Sequence, residues 1–173
     1  MEYEFTLKYQ LDATDCNPDD LVERLGAAGC DDALIGIGQP GQLGFKFTRE
    51  AASARDAVKS ALADIRATVP TARLAEAGPD FVGLTDVAEL MGMSRQNLRK
   101  LMVANPATFP VPVHEGSSGV WHLADLLAWL QQKDYPVDRN VVDVSQTTRQ
   151  LNVLKELQNL PTAIEKDLRS LVT

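Results

Sequence analysis

Apolar and polar residues alternate over the first eleven positions of the chain. The apolar positions are Tyr3, Phe5, Leu7, Tyr9 and Leu11. A period of two places successive side chains on opposite faces of a strand. The run therefore predicts a β-strand with one buried face and one face in contact with water.

Residues 17–77 carry the signals of two helices and three further strands. Asn17 precedes Pro18 and two acidic residues, which is a typical helix start. The predicted elements are that helix with Leu21, Val22, Leu25 and Ala28 buried, strands at 33–37 and 43–47, a helix with Ala54, Val58, Ala61, Leu62 and Ile65 buried, and a strand at 71–77. The βαββαβ order predicts an α+β fold in which residues 1–80 form a ferredoxin-like module.

The centre of the chain changes from a period of two to the period of short amphipathic helices. Thr85 is a suitable N-cap for a first helix, whose apolar positions are Val87, Leu90 and Met91. Gly92 is suited to end that helix in a left-handed conformation. Two short helices joined by a glycine-containing turn are typical of a DNA-binding helix-turn-helix.

The second of these helices is predicted over Ser94–Met102, with Ser94 as its cap and Leu98, Leu101 and Met102 on its buried face. Its other face is polar and consists of Arg95, Gln96, Asn97, Arg99 and Lys100. Arginine pairs with guanine, and asparagine or glutamine pairs with adenine, in the major groove. We therefore expect the first four of these polar residues to read base edges and Lys100 to contact a phosphate.

Two extended segments and a closing helix follow. Residues 109–114 and 120–121 predict short strands, and residues 115–119 predict a flexible turn between them. We expect His114, Ser117 and Ser118 near this turn to contact the DNA backbone. A last helix is predicted from its buried positions Leu123, Leu126, Leu127 and Leu130.

Residues 83–130 resemble the AlpA and excisionase branch of the MerR-like DNA-binding superfamily. The resemblance lies in the runs SRQNLRKL, FPVPV and VWHLADLLAWL, which occur in this order. It implies a winged helix-turn-helix, predicted here over residues 81–134, in a small transcriptional regulator of bacterial or phage type. It implies nothing for the other two thirds of the chain.

Residues 135–173 are predicted to form a linker and dimerisation helices. A helix is expected from Ser145 to Leu160, with an apolar stripe of Val144, Leu151, Leu154 and Leu157, and a second stripe of Ile164, Leu168 and Leu171 follows Pro161. A narrow stripe outside a compact domain usually packs on a partner helix. Spaced DNA half-sites also require a two-fold protein, so we expect a homodimer, with packing onto the same chain as the alternative.

The net charge of −7 argues against a general nucleic-acid coat. The acidity belongs to residues 1–82, which hold 14 acidic against 8 basic residues, a balance of −6. This charge favours a basic protein partner, as in an antitoxin-like repressor or adaptor, because a single-sign field steers such partners. A small-ligand sensor of the ACT type is the alternative for this module.

No motif in the sequence predicts catalysis, a cofactor or a metal site. The chain has only two cysteines, Cys16 and Cys30, without ligand spacing, and only two histidines, His114 and His122. The glycines of residues 36–44 lack the following helix and Lys-Ser/Thr pair of a phosphate loop. We therefore expect a cytoplasmic, non-enzymatic protein without a membrane span, whose binding partner is double-stranded DNA.

Overall fold

Two antiparallel sheets, with helices packed on them, build the mixed α+β structure. The computed structural model describes residues 1–12, 17–28, 30–37 and 41–160. The predicted stripe of Ile164, Leu168 and Leu171, like Cys16, lies outside these residues. No helix within them is long and apolar enough to cross a bilayer.

The first sheet has four strands in the order β2-β3-β1-β4. Its elements are β1 (Glu2–Gln10), α1 (Pro18–Ala27), β2 (Ala33–Ile37), β3 (Gln42–Glu50), α2 (Ala54–Thr68) and β4 (Arg73–Gly78). The predicted alternation in β1 is confirmed, because its odd-numbered apolar residues are buried and its even-numbered residues form the open face of the sheet. The predicted buried face of α1 is wrong in part, since Leu21 and Leu25 are buried but Val22 and Ala28 are exposed.

Arg49 is the buried cation of this first unit and fixes β3 to α2. Its Nε lies 2.5 Å from an Asp32 oxygen, and its Nη1 lies 2.7 Å from Asp64 and 3.0 Å from Ser60 Oγ. The guanidinium also stacks over the ring of Phe47. The hydrogen bond with Asp32 is the largest cause that raises the pKa of Arg49 above its ordinary value. Burial is affordable because every charge has an opposite partner.

The second sheet has three strands in the order β5-β7-β6. The elements of this unit are β5 (Phe81–Val82), α3 (Leu84–Leu90), α4 (Arg95–Ala104), β6 (His114–Glu115), β7 (Gly119–His122) and α5 (Leu123–Gln132). The predicted strand over residues 109–114 is wrong except at His114, because two prolines interrupt it. Strand β5 was not predicted, since two residues are too short to show a period.

Segment 109–113 makes one backbone hydrogen bond to β7, from the Val113 N–H to the Val120 carbonyl at 2.7 Å, and side chains hold the rest of it. The Trp121 indole N–H donates to the Pro110 carbonyl at 2.9 Å. Phe109 is buried edge-on between Trp121 and Trp129. Gly119 must lack a side chain, because a Cβ there would lie 2.4 Å from the Trp121 ring. The two tryptophans therefore fix the base of the hairpin formed by β6 and β7.

Helix α6 (Arg139–Gln158) corrects the prediction for the tail. It begins six residues before Ser145, so residues 139–143 are helix and not linker. Its face of Val142, Val144, Ser145, Thr148 and Asn152 is buried against both units of the same chain. Of the apolar stripe predicted to pack on a partner helix, Val144 is buried and Leu151 is partly buried on the same chain, whereas Leu154 is 56% exposed.

The side-chain amide of Asn152 joins the first sheet to the second unit. It accepts from the Ala77 N–H at 2.9 Å and donates to the Ala77 carbonyl at 2.8 Å and to Asp80 at 2.7 Å. The other oxygen of Asp80 lies 2.7 Å from His122 Nδ1. Nearby, the Thr148 hydroxyl donates to the Pro79 carbonyl at 2.7 Å. All of these polar groups are satisfied, so their burial is tolerated.

We expect Asn152→Ala to lower the free energy of unfolding by about 1–3 kcal/mol, because it leaves the Ala77 backbone groups and one of the two Asp80 carboxylate oxygens without their buried partner. Urea denaturation measures the change. The matched control is Gln150→Ala on the exposed side of the same helix, which should change stability by less than about 0.5 kcal/mol. Equal effects of the two substitutions would contradict the structural role of Asn152.

Candidate nucleic-acid interface

Helix α4 begins and is oriented by local hydrogen bonds. Ser94 caps it as predicted, since its Oγ accepts from the Asn97 N–H at 3.2 Å. Gly92 has φ of +61°, which confirms the predicted left-handed turn between α3 and α4. The predicted cap at Thr85 is wrong, because α3 begins one residue after Gly83, whose N–H donates to the Asp86 carboxylate at 2.6 Å.

The buried side of α4 packs on α3 and joins the hydrophobic core to which α5 also contributes. Leu98 is fully buried, and Leu101 and Met102 are half-buried beside it. Val87 of α3 belongs to the same core. Leu90 does not, because it is 46% exposed, and its predicted place on the buried face of α3 is wrong. The core thus fixes which side of α4 faces water.

The side of α4 opposite Leu98 presents Gln96, Lys100 and Val103. Successive residues of a helix are rotated by about 100°, so these three positions point directly away from the buried side. All three are exposed, and Val103 is 68% exposed. Arg99 and Ala104 border the same shallow hollow. The outermost surface of α4 therefore combines an amide, two cations and a branched apolar side chain.

A groove of about 490 Å³ separates α4 from the hairpin of β6 and β7. Arg95 and Arg99 line its α4 side, and Ser117 and Ser118 line its hairpin side. The structure thus brings together four of the residues predicted from the sequence, and Arg99 borders both surfaces of α4. His114 lies on β6 and is exposed, but it does not line this groove.

Charge pairing sets the cations of α4 apart from several others in the chain. Lys8, Lys46, Arg49 and Arg149 each form an ion pair with a carboxylate. Among residues 1–12, 17–28, 30–37 and 41–160, no carboxylate pairs with Arg95, Arg99 or Lys100. These three cations lie close together and keep their charges available to an anion.

Val103 is the residue of this surface that the sequence analysis missed. The predicted helix ended at Met102, whereas α4 continues to Ala104. The available signal was the spacing, because Val103 follows Gln96 by seven residues and Arg99 by four on one helix face. Val103 therefore lies on the same exposed face as these two polar residues.

His122, Cys30 and the acidic residues are the remaining candidates for catalysis or metal binding. His122 is occupied by Asp80 and stacks beside Phe81. In the part of the chain that the structure describes, no group of three or more His, Cys, Asp or Glu side chains is placed to hold a metal ion. Burial raises the pKa of the Cys30 thiol above its ordinary value, which lowers its reactivity.

Comparison of the chain with models of protein families, with curated proteins and with solved structures finds no match. What α4 and the hairpin do is therefore inferred from their residues and their geometry.

Proposed function

We propose that this protein binds duplex DNA in a sequence-specific manner, as a small homodimeric transcriptional regulator of bacterial or phage type. In this proposal residues 81–134 form a winged helix-turn-helix and residues 1–80 form a ferredoxin-like module. Helix α4 enters the major groove, and the hairpin of β6 and β7 is the wing. Such a regulator acts in the cytoplasm.

The observation that carries the proposal is the polar face of α4. A capped helix is anchored by Leu98 on one side, and its opposite side presents to solvent an amide and cations that have no carboxylate partner among the described residues. Major-groove readers need such a helix, because bases are read by donors and acceptors that no other protein group occupies. An ordinary surface helix needs neither the cluster of like charges nor the adjoining groove.

The geometry supports distinct roles along the helix. Gln96 and Lys100 project furthest from the core and reach base edges, together with Arg99. Arg95 faces the groove towards the wing, which suits a phosphate, with Ser117 and Ser118 on the opposite wall. Asn97 sits at the flank of the first turn as a further candidate for a base edge. This assignment exchanges the roles first expected for Arg95 and Lys100.

We expect Arg99→Ala to weaken binding by about fivefold to 150-fold and to relax sequence preference, because arginine discriminates bases by about 1–3 kcal/mol. Arg95→Ala should weaken binding to all sequences and reduce the salt dependence by about one counterion. Selection of genomic fragments by the purified protein supplies the site. Titration of each variant at two salt concentrations measures both effects.

The matched control removes the same charges elsewhere. Arg55→Ala and Arg66→Ala lie on exposed positions of α2, far from α4 in the chain. They should leave site preference unchanged and affinity nearly so. If the wild-type protein selects no sequence, or if the α2 pair has the same effect as the α4 pair, the proposal fails.

Val103 offers a sharper test of the face that reads bases. An apolar side chain in the major groove contacts the methyl group of thymine. Replacing one thymine of the selected site by uracil removes only that methyl group, and we expect affinity to fall about threefold. In the Val103→Ala variant the same replacement should have no effect. An equal loss in both proteins, or no sensitive thymine, would contradict the contact.

We also propose that the protein forms a homodimer through the end of α6, over a shorter segment than the sequence predicted. Buried positions of α6 from Val142 to Asn152 pack on their own chain, so the dimer contact must lie beyond them. Beyond Asn152 the helix exposes Val153, Leu154 and Leu157 along one side, and the exposed Leu160 follows two residues after its end. We propose that this stripe packs on the same stripe of a second copy.

We expect Leu154→Gln with Leu157→Gln to reduce the sedimenting mass by a factor of about two at tens of micromolar, because polar side chains remove the apolar contact. The substitutions should not change stability, since both leucines are exposed. Leu90→Gln, which alters an exposed leucine on α3, is the control. A wild-type mass equal to the 18.9 kDa chain would refute the dimer.

For residues 1–80, the basic protein partner stays the preferred proposal and the ACT-like ligand site the alternative. The support for the partner remains the acidic excess of the sequence. On the open face of the sheet, Lys8 pairs with Glu76 and Lys46 with Glu4. These cations make the face mixed in charge, so we place the docking surface for a basic protein on the helices.

A further inference from the structure

The two edge strands of the four-stranded sheet differ in how far other parts of the chain cover their free backbone groups. At the β4 edge, the Asn152 amide bonds both polar groups of Ala77, and the Lys155 ammonium donates to the Ala75 carbonyl. The register between β1 and β4 also shifts between Lys8 and Tyr9. Covering elements and bulges are the devices that keep an edge from pairing with another chain.

The β2 edge has none of these devices within the described residues. Strand β2 reads Ala-Leu-Ile-Gly-Ile and contains no charge and no proline. The Thr48 N–H donates to Asp32 O at 3.0 Å, which fixes the hydrogen-bonding alternation along the β2–β3 ladder. By that alternation Leu34 and Gly36 bond β3, and the backbone groups of Ile35 point outward. The edge is thus a ready template for another strand.

The open face at this edge carries a protrusion and a hollow. Leu34 is 74% exposed and stands at the rim. Gly36 lies two residues further along the same face, directly opposite Gly44 of β3. These two glycines floor a hollow of about 510 Å³ that is bordered by Lys8 and Glu76. A Cβ on either glycine would meet nothing closer than 3.6 Å, so the hollow is open.

We propose that β2 pairs with β2 of a second copy, antiparallel and centred on Ile35, to make one continuous eight-stranded sheet. In this register Ile35 of each copy exchanges both hydrogen bonds with Ile35 of the other. Leu34 of each copy then stands opposite Gly36 of the other and fills its hollow. The contact is self-complementary, as a two-fold interface requires, and this reciprocity selects a second copy over an unrelated peptide.

This contact is independent of the proposed DNA binding and of the α6 stripe. Strand β2 and strand β4, which α6 covers, lie at opposite ends of the sheet. One two-fold axis can therefore satisfy only one of the two self-contacts. A protein that uses both forms an assembly larger than a dimer.

A mixing experiment tests the register. In a Cys16→Ser background, Leu34→Cys and Gly36→Cys are placed on separate chains, and buried Cys30 is retained because burial raises its thiol pKa. Directly opposed residues of this type have Cα atoms about 4.5 Å apart, which suits a disulfide. Mild oxidation of the mixture should give a cross-linked dimer, and either variant alone should give far less. Absence of the mixed disulfide would overturn the register.

Sedimentation tests the contact itself in the full chain. Leu34→Lys should reduce the mass by a factor of about two, because it replaces the apolar side chain that fills the hollow of the partner by a charged one. Val22→Lys, at an exposed position of α1, is the control and should not change the mass. Combined with the Leu154→Gln and Leu157→Gln pair, Leu34→Lys should give the 18.9 kDa monomer. An unchanged mass for Leu34→Lys would overturn the proposal.

Discussion

The carboxamide of Asn152 is the contact on which the arrangement of the whole chain depends. It takes the place of a neighbouring strand at Ala77 and also holds the Asp80 carboxylate, which in turn binds His122. Buried polar groups of this kind are costly when one partner is missing, because the remaining groups cannot return to water. The first sheet, α6 and the start of α5 are therefore held in fixed positions relative to one another. The two units pack on each other through α6 and are not joined by a linker alone.

The hydrogen bonds of Asn152 and Asp80 also affect the candidate interface, because Asp80 binds the residue that precedes α5. His122 directly precedes α5, whose Leu126 and Leu127 form the floor of the core beneath α4. The Leu123 N–H also donates to the Asp80 carbonyl at 2.7 Å, so residue 80 holds β7 and α5 with both its backbone and its side chain. The orientation of α4 relative to the first sheet thus follows from Asp80 and Asn152.

Hydrophobic periodicity predicted most of the helices and strands correctly. It predicted which of their faces are buried in some elements and not in others. In β1 the alternation of apolar and polar residues determined which face is buried. In α4 the Ser94 cap determined where the helix begins, and Leu98 determined which side is buried. Helix α6 was misread because it inverts the usual pattern: its buried face includes Ser145, Thr148 and Asn152, whereas Leu154 is exposed. A pattern of apolar residues cannot locate a face that is buried through hydrogen bonds. The candidate interface was predictable from exposed residue types, but Val103 and the groove required the actual length of α4 and the position of the hairpin formed by β6 and β7.

The charge distribution makes self-association a physical requirement of the proposed DNA binding. The net charge is −7, and the local attraction to phosphate comes from a small cluster at Arg95, Arg99 and Lys100. Each neutralised phosphate contributes a counterion term, so a single α4 provides only a weak and salt-sensitive attraction. In a dimer, two α4 helices contact the DNA. Once the first helix is bound, binding of the second is intramolecular, which raises the affinity for DNA without any further charge on each chain. The exposed leucines beyond Asn152 and the uncharged β2 edge are surfaces through which the chain can meet this requirement.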